Sequence, residues 1–119
     1  MNEGTQQALR SDRTVDITTT GRRTGRDRRI EIWFHNIDDG VYITGTPGTR
    51  SWYANLLADP AFTFHIKQPV RADLPATAIP ITDEDQRREL LEVITGRLDA
   101  NGNLHDWVER SPLVRVEFN

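Results

Sequence analysis

The strongest constraint on this chain is a pair of alternating, β-branched segments joined by a loop carrying two glycines. Thr14 to Thr20 alternates Val15, Ile17 and Thr19 against Asp16, Thr18 and Thr20. Arg29 to His35 alternates Ile30, Ile32 and Phe34 against Glu31, Trp33 and His35. A period of two places successive side chains on opposite faces of a sheet, so both segments predict strands, each with one face turned to a core. Between them Gly21 to Asp27 is a polar loop. The same grammar continues downstream. Asn36 to Gly40 predicts a turn with Asp-Gly as its hairpin signal, and Val41 to Thr46 the returning strand. Ala61 to Ile66 follows as a strand with Phe62, Phe64 and Ile66 on one side, then a turn at Gln68-Pro69. Val70 to Ile81 is extended, with Pro75 and Pro80 expected to confine it to an edge or to bulges. Leu113 to Phe118 is the last strand.

Helical patterns are few. Residues 1–10 suit a short helix or a frayed arm. Ser51 is placed to cap a helix over Trp52–Ala58, which Asp59-Pro60 ends because the residue before proline avoids helical geometry. Thr82 is placed to cap a longer helix, with Asp83, Glu84 and Asp85 in its first turn and Leu90, Leu91, Ile94 and Leu98 as its apolar stripe. Asn103 to Arg110 is a second short candidate. About six strands in hairpin succession, one helix after the third and one or two late helices predict a mainly β (α+β) chain, rolled or closed into an antiparallel barrel. No repeat or linker interrupts residues 1–119, which are expected to form one domain.

A chain of 119 residues buries enough surface for a core of its own, and with no cysteine it has neither disulfides nor thiolate zinc sites. The start lacks a basic and apolar leader, and no apolar run approaches the roughly 20 residues of a membrane span. The expectation is a soluble cytoplasmic protein. Net charge is −3, against general nucleic-acid binding. The positive charge is concentrated: Arg22, Arg23, Arg26, Arg28 and Arg29 face only Asp27, whereas from Asp73 onward ten acidic residues stand against five basic.

Two segments carry candidate chemistry. In Thr18-Thr19-Thr20-Gly21-Arg22-Arg23-Thr24-Gly25, glycines let the backbone turn so that successive amides can cradle an anion, and the arginines add charge-assisted hydrogen bonds. A solvated hairpin turn has the same composition. In Gly45-Thr46-Pro47-Gly48 and Trp52-Tyr53-Ala54-Asn55-Leu56, the aromatics offer flat surfaces and the Asn55 amide suits a heteroaromatic edge; a helix packed on the core would also look like this. His35, His65 and His105 show no metal spacing and are expected to be structural or at the surface. Ser11, Ser51 and Ser111 lie in no nucleophile elbow. Catalysis would then belong to a bound cofactor that the protein holds and orients.

In this order and spacing, TTTGRRTG, ITGTPG and WYANLLADPAF resemble the deazaflavin-dependent nitroreductase and quinone reductase family from about Ile17 to Ile66, more weakly to Phe118. The resemblance implies a split β-barrel of the pyridoxamine-phosphate-oxidase and FMN-binding kind, with coenzyme F420 as cofactor. Arg22, Arg23 and Thr24, with Gly25 in the same loop, would contact its phosphate. Arg26 or Arg28 would reach its lactyl-glutamate tail, Thr44, Thr46 and Gly48 would border the deazaflavin ring, and Trp52 and Asn55 would close its pocket. The activity implied is hydride transfer to a quinone, nitro compound or activated alkene, with Tyr53 and His65 as the polar groups considered for protonating the product. An FMN-dependent reductase and a flavin carrier without turnover are the alternatives. By the same resemblance the chain would be a homodimer.

Overall fold

The computed structural model describes residues 2–11, 13–99 and 103–119. Its elements run α1 (Glu3–Ala8), β1 (Arg13–Thr20), β2 (Asp27–Ile37), β3 (Gly40–Thr44), α2 (Ser51–Ala58), β4 (Ala61–Ile66), β5 (Ala72–Pro80), α3 (Glu84–Leu98), α4 (Leu104–Arg110) and β6 (Leu113–Phe118). The six strands close in the order β1-β2-β3-β6-β5-β4, with β4 returning to β1, and every pairing is antiparallel.

The expected barrel is therefore present, and closure corrects one expectation. The proline-bearing β5 is not an edge strand, because it pairs with β4 on one side and β6 on the other. Pro75 lies one residue beyond the last β5–β6 pair, Ala76 with Phe118. Pro75 stands opposite Thr63 of β4, and on its other side its carbonyl accepts from Asn119 N–H just past the end of β6. Proline has no N–H to give, so its link to Asn119 is this one bond. Pro80 is the last residue of β5.

β2 is shared between two partners. Its length from Asp27 to Phe34 pairs with β1, while only Phe34 to Ile37 pair with β3. The expected inward face is consequently covered over half its length. On that face Phe34 is fully buried and Ile32 partly buried, whereas Ile30 is exposed. At the β2–β3 turn Asp38 and Asp39 take φ of 50° and 67°, the two positive values of a type I′ turn. The Asp-Gly signal thus sits one residue out of step. Gly40 is the first strand residue, and a Cβ there would meet Tyr42 Cε2 at 2.8 Å, so the Tyr42 ring would have to shift.

The barrel interior holds Val15, Ile17, Phe34, Ile43, Phe64 and Val114. Phe64 makes edge contacts with Phe34 and Phe118 at 5.4 and 5.2 Å between ring centres. Trp52 and Leu56 of α2 join this cluster, so the helix packs over the interior. A second cluster lies outside, where α3 and α4 bring Leu90, Leu91, Ile94 and Trp107 against Ile81 and Leu113. Leu98, expected on the α3 stripe, is half-exposed, and Arg87 is buried on that face instead. Helix starts shift by one residue. Asp83, not Thr82, caps α3, accepting from Gln86 N–H at 2.9 Å. Arg50 holds the cap position of α2 without a side-chain capping bond, and Ser51 is already helical.

Two carboxylates stitch the outside of the barrel. Asp16 of β1 meets Lys67 and Arg29, each at 2.9 Å, and Lys67 also bonds Glu31. Asp73 of β5 lies 2.6 Å from His65 Nδ1. The Lys67 hydrogen bond, with Arg29 adding to it and against some burial, holds the Asp16 carboxyl below the usual range; the His65 contact does the same for Asp73. A depressed folded pKa stabilises above the unfolded value of about 3.9 and ceases to do so as pH falls through the folded value. Urea midpoints should therefore converge between wild type and Asp16→Asn/Asp73→Asn as pH drops from 6 to below 3. A gap independent of pH would refute the assignment.

Candidate functional site

Between β1 and β2 the chain turns through Gly21–Arg26, and the turn closes on itself. Gly21 N–H donates to the Arg26 carbonyl and Gly25 N–H to the Gly21 carbonyl, both at 2.8 Å. Thr24 Oγ1 accepts from Arg26 N–H at 3.2 Å. Gly25 takes φ of 70°, where a side chain strains the backbone. The Arg22 amide is also engaged, with Asn55. The amides of Arg23 and Thr24 have no protein acceptor among the described residues and are the ones left for a ligand.

Asn55 links the loop to α2. Its Oδ1 accepts from Arg22 N–H at 3.1 Å and from Arg22 Nη1 at 2.9 Å, and its Nδ2 donates to Thr19 Oγ1 at 3.3 Å. Both ends of this buried amide therefore serve the protein. Its geometry suits aiming Arg22 better than meeting a heteroaromatic edge.

A cavity of about 450 Å³ opens beside the loop, lined by Arg22, Arg23, Thr24, Arg28, Trp52 and Asn55, together with Thr19, Gly21, Ile30 and Ser51. Six of the eleven residues anticipated from sequence are thus brought together. Among the described residues three arginines line it and no carboxylate does. Gly25 and Arg26 belong to the loop but are not in the lining. Thr44 is buried, its hydroxyl donating to the Pro112 carbonyl at 2.5 Å. Thr46 accepts from Arg50, and Gly48 borders a different groove. Of the additional lining residues, Thr19 and Ile30 were accessible to the alternation pattern, which puts both on inward faces.

The two polar groups considered for proton transfer lie elsewhere. His65 Nε2 is 2.7 Å from Thr18 Oγ1 and its Nδ1 is bound to Asp73, in a separate surface groove. Tyr53 faces the groove on the other side of α2. His35 and His65 are both buried and His105 is exposed, in keeping with structural roles. Among the described residues no cluster of histidines and carboxylates could hold a metal ion, and no helix is long and apolar enough to cross a membrane.

A closed six-stranded antiparallel barrel, with an arginine-lined cavity between its first hairpin loop and a capping helix, is a split barrel. The F420H(2)-dependent quinone reductase family model matches residues 2–119, and the chain belongs to that family of F420-dependent oxidoreductases. Three solved structures share the fold. An F420 reductase is 17% identical, with a TM-score of 0.75 over all of this chain and 96% of that one. A conserved hypothetical protein from Mycobacterium tuberculosis is 15% identical, with 0.76 over 100% and 81%. A putative pyridoxamine 5′-phosphate oxidase from Listeria innocua is 12% identical, with 0.64 over 89% and 82%.

Proposed function

We propose that this chain is a cytoplasmic, single-domain reductase that binds reduced F420 in the arginine-lined cavity and reduces a quinone, nitro compound or activated alkene. The observation that carries the site is the carboxylate-free triad Arg22, Arg23 and Arg28 beside two uncommitted amides. The donor set fits a phosphate with an anionic tail. Arginine forks match phosphate and carboxylate oxygens, and backbone amides add fixed donors.

When bound, the reduced deazaflavin supplies two electrons as hydride. The chain's residues hold and orient it. Arg22 and Arg23, with the Arg23 and Thr24 amides, would take the phosphate. Arg28 and Arg26, both exposed at the start of β2, would meet the tail. Asn55 is the positioning residue for Arg22, and Trp52 offers a flat, largely buried wall that excludes water. Among the described residues no histidine, tyrosine or carboxylate lines the cavity, and solvent is the proton source this reading assigns. The exposed Trp33 on β2 suits a homodimer contact, which the sedimentation coefficient tests.

The test is a fluorescence titration against F420 and FMN at two ionic strengths, followed by oxidation of reduced F420 by menadione. Micromolar F420 affinity that weakens severalfold between 20 and 300 mM salt is expected, since exposed charges are screened over about 10 Å at 0.1 M. Tight binding of FMN but not F420, or no turnover across quinones and nitroaromatics, would remove the proposal.

A further inference from the structure

On the far side of α2 lies a second concavity, of about 620 Å³, between that helix and the junction of α4 with β6. Trp52 and Asn55 face the arginine cavity; Tyr53 and Leu57 face this groove. Two buried polar groups line it. Ser111 is 4% exposed, and its hydroxyl has no partner among the described residues. Arg87 donates to the carbonyls of Val108, Ile81 and Ser111 at 2.7, 2.8 and 2.6 Å.

Those three bonds use three of the five guanidinium N–H groups and leave two. They also leave the charge itself unanswered. Among the described residues no carboxylate lies within ion-pair distance of Arg87, and burial pulls its pKa down. Glu109 borders the groove but pairs with His105 at 3.1 Å. Arg50 and Arg110 also border it, Arg110 already paired with Asp106 at 2.7 Å. A buried cation without a counterion is costly, and an anion arriving with its own apolar body relieves that cost while covering apolar wall. Leu57, 55% exposed, and Tyr53 supply such a wall.

We infer that this groove is a second ligand site, taking a small aromatic carboxylate whose carboxyl group meets Arg87 and Ser111 and whose ring lies along Leu57 and Tyr53. The site is independent of the F420 reading, since it shares no lining residue with the arginine cavity. It shares α2 with that cavity, so its occupant would touch the same helix from the opposite face.

The experiment is a titration of the isotope-labelled full chain with 1-naphthoate, followed by amide shifts, with neutral 1-naphthamide as the matched control. Shifts centred on Tyr53, Leu57 and Ser111 are expected, with the amide binding about tenfold more weakly because it lacks the charge. Leu57→Glu puts a like charge at an exposed wall position without disturbing the core, and should weaken naphthoate by about tenfold as well. Shifts centred on Arg22 and Arg23, displacement of naphthoate by F420, equal binding of the amide, indifference to Leu57→Glu, or no binding at all would each overturn the inference.

Discussion

Replacing Arg22 and Arg23 together by alanine is expected to weaken F420 binding by about a hundredfold or more while leaving the fold intact. Each hydrogen bond from a charged donor contributes about 1.5–3 kcal/mol, and about 1.4 kcal/mol is a factor of ten in affinity. Both side chains are exposed, and the loop is closed by backbone bonds that neither replacement touches. The Arg22 amide also keeps its contact with Asn55, which is backbone to side chain. Fluorescence titration of the double variant gives the affinity, and a thermal melt shows that the barrel persists. An affinity within about threefold of wild type, with an unchanged melt, would mean that the phosphate sits elsewhere.

The second large effect is on stability. Arg87→Leu should destabilise the protein by about 3–5 kcal/mol, because the buried carbonyls of Ile81, Val108 and Ser111 lose their donor and each unsatisfied group costs about 1–3 kcal/mol. Those carbonyls come from the exit of β5, the end of α4 and the approach to β6, so one side chain of α3 holds three separate segments. Arg87→Lys should recover little of the loss, since an ammonium is a point charge and cannot span three acceptors. Urea denaturation measures both variants. A native stability of about 5–15 kcal/mol makes the expected loss unmistakable, and a change under about 1 kcal/mol would show that other donors take over the three carbonyls.

Arg87 also shows where sequence reasoning stops. In the stripe of α3 an arginine one turn before Leu90 and Leu91 has the pattern of a surface residue, and nothing local distinguishes it from Arg88. Its burial depends on Ile81, Val108 and Ser111 arriving at one point, which the barrel arranges. Asn55 is a similar case. Its place in the motif was legible, but its work, gripping Arg22 and Thr19, depends on α2 packing against β1 and the loop. Thr44 and Thr46 were anticipated as ring contacts on motif alone, while the structure engages their side chains with Pro112 and Arg50.

By itself the sequence determined the elements and the position of the positive charge. Period-two alternation along β1, β2 and β4 and the glycine-bounded arginine loop are local properties, written in consecutive residues. Closure of the sheet, the burial of Arg87, and the gathering of Arg22, Arg23 and Arg28 with Trp52 into one cavity were decided only by tertiary structure. The physical reason is sequence distance. Strand β4 must return to β1 across more than forty residues, as in the pairing of Ile17 with Phe64, and α2 must settle over the barrel before loop and helix share a wall. Local propensity names the strands, but which of them meet is set by the core they bury together.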